Sequence, residues 1–183
     1  SATDCYQPIE RELGLTRAVI QVLNDCQHPF TIVTKSSGIE RDLDLLVQAA
    51  QRQHCYTMIS ITTLDAALAR RLEPRAAAPH RRLATVKRLA EAGVPVGVNV
   101  APIIPFLNEP EIEQIIEAAV AAGASNIHYT VLRLPWEVKP LFQEWLSHHV
   151  PDRAERIMAR IRELRGGKDY DADFSLRMKG EGV

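Results

Sequence analysis

Along the chain the hydrophobic positions switch repeatedly between two periods. Residues 16–25 (TRAVIQVLND) place Val19, Ile20 and Leu23 at helical intervals, with Thr16 as candidate N-cap. Residues 30–34 (FTIVT) follow His28-Pro29 as a short β-branched run closed by Lys35, which predicts a buried strand. The alternation continues with a helix over 41–53, a strand over 57–62 (TMISIT), a short helix over 65–72 and a helix over 79–92 stopped by Gly93. A strand over 96–100 (VGVNV), a helix over 109–122 stopped by Gly123 and a strand over 127–132 (IHYTVL) follow.

Strands that read as nearly continuous apolar runs between helices belong to a parallel sheet whose faces are both covered. The predicted fold class is therefore α/β, with strands recurring roughly every 30 residues, the length of one βα unit. No GxGxxG or GxxxxGK[ST] follows any strand, so dinucleotide-binding and P-loop readings lose support. After Arg133 the pattern turns helical, over 137–148 and over 152–165, the latter entered at Pro151-Asp152 and ended by Gly166-Gly167. The expected organisation is a βα core over 1–135, helices packed on it over 136–167, and an irregular tail over 168–183 that mixes charge, Gly and isolated aromatics.

With 183 residues, 46% hydrophobic and 25% charged, the chain suits one ordinary domain. A net charge of -1 creates no global field toward nucleic acid or an anionic membrane. No run reaches the roughly 20 apolar residues of a membrane span, and no signal peptide opens the chain, so the expectation is a cytoplasmic protein. Cys5, Cys26 and Cys55 lie in no metal-ligand or redox spacing, and each reads as a small buried or half-buried thiol. The six histidines show no HExxH, leaving a mononuclear metal site unsupported.

In parallel βα sheets ligands bind beyond the carboxyl ends of the strands, which makes polar strand ends informative. Here those ends are Thr34-Lys35-Ser36, Ser60 to Thr63 with Asp65 beyond, Asn99 with Ala101-Pro102, and Arg133, while Thr3-Asp4 could close an earlier strand. Lys35 reads either as a solvated lysine or as a cation for a carboxylate or phosphate. Ser60 and Thr62 alternate onto one strand face, as ligand contacts or as hydroxyls bonded to neighbouring carbonyls. Asn99 inside an apolar strand needs a hydrogen-bond partner or costs stability. Glu73, Arg75, His80 and Arg81 are placed in a Pro-punctuated loop after the third helix and read equally as solvated surface.

The segments Thr3-Asp4-Cys5-Tyr6-Gln7-Pro8-Ile9-Glu10, Ile32-Val33-Thr34-Lys35-Ser36, Ser60-Ile61-Thr62-Thr63-Leu64-Asp65 and Leu72-Glu73-Pro74-Arg75-Ala76 together resemble the radical S-adenosylmethionine (radical SAM) superfamily. The likeness continues through Val100-Ala101-Pro102-Ile103-Ile104-Pro105 and Leu132-Arg133-Leu134-Pro135, and its branch is similar to spore photoproduct lyase. No single piece is specific; their order and spacing are. The resemblance implies a partial, TIM-like (βα) barrel of parallel strands plus C-terminal helices. It also implies a 4Fe–4S cluster that binds S-adenosylmethionine and cleaves it reductively to a 5′-deoxyadenosyl radical, which abstracts hydrogen from a substrate. Lys35 would pair with the methionyl carboxylate, Ser60 and Thr62 would contact the methionyl or ribose part, and the backbone near Ala101 would meet adenine. Thr3 and Asp4 match a strand end beside the same ligand, Asn99 belongs to the same set, and Glu73, Arg75 and Arg133 would lie near substrate or cofactor. A flavodoxin or ferredoxin would supply electrons.

The sequence departs from that family in one respect: no CxxxCxxC is present. The expectation is that the cluster cysteines lie upstream of Ser1, that the first βα unit is missing, and that the chain alone is inactive. Cys5 is not a ligand by position. Nucleic acid is a partner by family analogy only, because 5% aromatics and no interleaved basic stripe give unpaired bases little to stack on. Two other readings compete: a cofactor-free βα-barrel lyase or aldolase with Lys35 as Schiff base, and a non-catalytic binding module presenting Trp136, Phe142 and Trp145. Those aromatics more simply pack the last helices.

Overall fold

The computed structural model describes residues 3–167. A single turn, α1 (Glu10–Leu13), and α2 (Leu15–Asp25) precede β1 (Phe30–Thr34), and a 3-10 stretch (Ser37–Asp42) leads into α3 (Leu43–Gln51) and β2 (Cys55–Ser60). Then come α4 (Ala66–Leu72), α5 (Pro79–Glu91), β3 (Val96–Ile103), α6 (Ile112–Ala121), β4 (Asn126–Val131), α7 (Val138–His149) and α8 (Pro151–Glu163). The strands form one sheet in the order β1-β2-β3-β4, with β1 parallel to β2 and β2 to β3. This is the predicted α/β class. Among the described residues the sheet does not close on itself, as in a partial βα barrel.

Two compact units divide the chain. Of the described residues, one holds 3–100 together with Glu111–His128; the other holds Ala101–Pro110 and 129–167. In the first, α2 packs on α3, α5 packs on α6, and α3 and α5 both pack against β2. Its core is built from Ile39, Leu46, Ile59, Val86, Leu89, Val98 and Ile115, all fully buried. In the second, α7 packs on α8, and Phe142 and Leu146 of α7 and Ile157 and Ile161 of α8 are buried.

The register gives each sheet face its own character. Thr34, Ile59 and Val98 align on one face, and all three are buried. Val33, Met58 and Gly97 align on the other, where Val33 is 52% exposed. Burial on both faces, expected of every strand, holds for β2 but not for β1, which buries alternate residues, nor for β4, which has no buried residue. Both are the outer strands of the sheet, with no neighbouring strand on one side among the described residues. Gly97 is required where it stands, because a Cβ there would lie 2.3 Å from the Tyr56 hydroxyl and 3.0 Å from the Asn126 carbonyl oxygen.

Several boundaries move for local reasons. Thr16 is not the N-cap of α2; that position is Gly14, and the Thr16 hydroxyl donates instead to the Cys5 carbonyl. The buried Glu10 carboxylate accepts the Thr16 N–H at 2.6 Å, so an acidic side chain from α1 serves the start of α2. β2 begins and ends two residues before the predicted strand, because Cys55 and Tyr56 pair with Phe30 and Thr31. Thr62 therefore lies beyond the strand. Asp65 caps α4, accepting from the N–H groups of Ala67 and Leu68. The helices predicted from 41 and 109 start at Leu43 and Ile112, each after a 3-10 turn. His80 and Arg81 belong to α5 and not to the preceding loop. Thr3-Asp4 closes no strand among the described residues. The expected tail over 168–183 lies outside the described residues.

Candidate functional site

The site begins with one carboxylate. Glu73, the C-cap residue of α4, accepts from Lys35 at the end of β1, and Thr62 just past β2 donates its hydroxyl to the same oxygen at 2.6 Å. The other Glu73 oxygen takes Arg82 Nη2. Arg82, on α5 and 2% exposed, also donates Nη1 to the Ser60 carbonyl at 2.9 Å and Nε to the Ala77 carbonyl at 2.6 Å. Burial pushes the Glu73 carboxyl upward, but the charges of Lys35 and Arg82, with hydrogen bonds from Lys35 and Thr62, overcome it and hold the group below the usual carboxylate range. It is therefore an anion at neutral pH, flanked by two cations.

A second carboxylate organises the chain around Lys35. Asp4 accepts from the Thr34 hydroxyl at 2.7 Å and from the Lys35 and Tyr6 backbone N–H groups at 2.8 Å each. The Tyr6 hydroxyl donates to the fully buried Asp42 at 3.0 Å, and Arg41 lies over the Tyr6 ring at 5.9 Å. Burial and then the Asp42 charge push the Tyr6 hydroxyl strongly up, so it remains a donor at any physiological pH. Between these segments opens a cleft of about 930 Å³ whose walls include Asp4, Tyr6, Lys35, Gly38, Arg75 and Arg81.

The predicted residues thus fall into groups. Asp4, Lys35 and Arg75 line the cleft; Ser60, Thr62 and Glu73 form the bonded cluster behind Lys35. Thr3 is exposed and receives the Gln7 side-chain amide. Asn99 pairs in register with Ser60 at the carboxyl end of the β2–β3 ladder, and its Oδ1 is buried with no donor among the described residues. Ala101, half-buried in β3, and Arg133, exposed, belong to the second unit. There Phe142 is buried and stacks on Trp145 with ring centroids 6.1 Å apart, whereas Trp136 is 82% exposed.

Sequence reasoning missed Arg82, Tyr6 and Arg41 as site residues, and named Thr34 only as part of a polar strand end. An arginine whose neighbours on the helix include Pro79, Thr85, Val86 and Leu89, all buried, lies on the covered face of α5, and that periodicity is a signal for Arg82. The roles of Tyr6 and Arg41 carry no such mark, because both depend on Asp42, which reads as an ordinary surface acid.

The donor set does not fit an iron–sulfur cluster. Among the described residues no group of three or more His, Cys, Asp or Glu side chains could hold a metal ion. Cys5 is half-buried, Cys26 exposed and Cys55 buried, which corrects the expectation of a buried or half-buried thiol at Cys26. Burial and the Asp4 charge push the Cys5 thiol up to about 11, and burial does the same for Cys55, away from the thiolate that a metal needs. The cleft does fit a small ligand with both charges, since pockets of about 300 to 1,000 Å³ hold such molecules. The orphaned Asn99 Oδ1 is an acceptor that a ribose hydroxyl or an amino group would satisfy.

No described helix is long and apolar enough to cross a membrane. Residues 4–119 match the family model described as Radical SAM superfamily. An uncharacterized protein of Mycobacterium tuberculosis is 31% identical over 164 residues, 88% of this chain and 47% of its own length. One from Methanocaldococcus jannaschii is 30% identical over 157 residues, 86% of this chain and 57% of its own. One from Acidianus two-tailed virus is 41% identical over 76 residues, 42% of this chain and 25% of its own. The chain thus spans about half the length of the mycobacterial and archaeal relatives. No solved structure matches it significantly. With more than half of its residues matched, this chain belongs to the radical SAM superfamily.

Proposed function

We propose that this chain forms the S-adenosylmethionine-binding part of a radical SAM enzyme, of the branch similar to spore photoproduct lyase, with its cluster ligands outside the chain. The observation that carries the reading is Lys35, fixed by Glu73 at a strand end on the wall of a mixed-charge cleft within the family match. When bound, S-adenosylmethionine supplies a 5′-deoxyadenosyl radical on one-electron reduction.

The part of this chain is to bind and orient. Lys35 has three N–H donors and gives one to Glu73, leaving others for the methionyl carboxylate. Glu73 and Arg82 hold that ammonium in place, while Asp4 fixes the backbone of Tyr6 and Lys35. Asn99 accepts from a ribose hydroxyl or an amino group of the ligand, Ser60 and Thr62 stand at the neighbouring strand end, and Thr3 at the chain segment leading into Asp4. Arg75, on the wall of the same cleft, lies toward cofactor or substrate. The electron donor is a flavodoxin or ferredoxin.

The test is 5′-deoxyadenosine release from S-adenosylmethionine and dithionite, using the full-length protein reconstituted anaerobically with iron and sulfide. Product that disappears in Lys35→Ala supports the reading; a full complement of cluster with no product overturns it. A Schiff-base lyase fits less well, because Lys35 donates into a carboxylate and does not stand alone in an apolar wall. Borohydride trapping of a carbonyl compound on Lys35 would favour it.

A further inference from the structure

The cleft carries charges that its own walls do not neutralise. Five cations line it: Arg11, Lys35, Arg41, Arg75 and Arg81. Three are committed within the protein: Lys35 to Glu73, Arg41 to Glu10 and Asp42, and Arg81 to Glu40 at 2.8 Å. The cleft's two carboxylates are committed as well, Asp4 to Thr34, Tyr6 and Lys35, and Glu10 to Thr16 and Arg41. Arg11, on α1, and Arg75, in the loop after α4, are exposed, and their guanidinium groups form no hydrogen bond or ion pair with any described residue.

Two unspent guanidiniums on one concave surface focus a positive potential into it. Each offers a planar fork that matches the oxygens of a phosphate two at a time. We propose that the cleft binds a phosphate ester through Arg11 and Arg75, in addition to any ligand held by Lys35. This substrate class goes beyond the S-adenosylmethionine reading and does not depend on it, since binding requires neither cluster nor cofactor. The near-zero net charge of the chain makes the attraction local to the cleft, not a property of the whole surface.

The experiment is calorimetric titration of the protein with inorganic pyrophosphate at low ionic strength, without S-adenosylmethionine. Binding is expected, and the double variant Arg11→Ala/Arg75→Ala weakens it by at least about tenfold, the loss of charge-assisted hydrogen bonds. Arg70→Ala, which removes an exposed arginine of α4 outside the cleft, leaves it unchanged. Both target arginines are exposed, so the variants fold, and circular dichroism checks this. Adenosine monophosphate and a short single-stranded oligonucleotide, run in parallel, separate a free nucleotide from a polymer backbone as the source of the phosphate; either, lost with the same two arginines, supports the site. No binding of any of the three, equal loss in Arg70→Ala, or succinate binding as tightly as pyrophosphate overturns it.

Discussion

Arg82 and Glu73 form a buried ion pair in which the arginine also holds the Ser60 and Ala77 carbonyls, tying the end of β2 to the loop before α5. Lys35 is attached to the far side of the same carboxylate, so the geometry of the strand-end lysine is inherited from a residue 47 positions later. Removing one partner of a buried pair leaves the other charge uncompensated, which costs about 3 to 5 kcal/mol. Arg82→Met is expected to lower stability by that order in urea denaturation. Lys35→Met, at a side chain one-third exposed, costs about 1 kcal/mol or less. Equal losses at the two positions would show that Glu73 is not anchored from behind.

Glu73 also sets an acid limit. Its folded pKa lies below the ordinary 4.5, so on acidification the unfolded chain takes up this proton first. The stabilisation is complete above pH 4.5 and is lost as pH falls through the lower folded value. In Glu73→Gln the stability curve should therefore be flatter below that pH than in the wild type, with a lower plateau at neutrality. Denaturation midpoints measured from pH 7 downward check it, and parallel curves for the two proteins would refute the assignment.

Tyr56 and Gly97 form a second coupled pair. A methyl group at position 97 would meet the Tyr56 hydroxyl, the Met58 sulfur at 2.9 Å and a backbone carbonyl oxygen. Gly97→Ala should destabilise by about 1 to 3 kcal/mol, the range for overpacking. Tyr56→Phe removes a buried hydroxyl that has no hydrogen-bond partner among the described residues, and so should be neutral or stabilising. Combined, the two changes should cost less than the sum of their separate effects, because the closest clash is gone. Strict additivity in a thermal-unfolding cycle would exclude the contact.

The cysteines should separate by reactivity. Cys26 is exposed after α2, whereas the Cys5 and Cys55 thiols are covered and pushed up to about 11. Brief iodoacetamide treatment of the native protein near pH 8, followed by peptide mass spectrometry, should find label on Cys26 and little on the other two. Rapid labelling of Cys5 would contradict its surroundings beside Asp4.

By itself the sequence determined the order and class of elements. FTIVT, the apolar core of TMISIT and VGVNV allow few structures other than strands, and Gly93 and Gly123 ended their helices with φ of 77 and 96 where they were expected to. It also singled out Lys35 and Asn99, a cation and an amide at strand ends that are costly unless something uses them, while Glu73 entered the site only through the family resemblance. Only the tertiary structure decided which of these residues meet. The Lys35–Glu73–Arg82 chain joins β1, the end of α4 and the buried side of α5, and no local period encodes a contact between side chains that the fold alone brings together. The same holds for the edges: β1 and β4 read as fully buried strands, yet burial of a strand's second face depends on neighbours, and those are a property of the sheet and not of the strand.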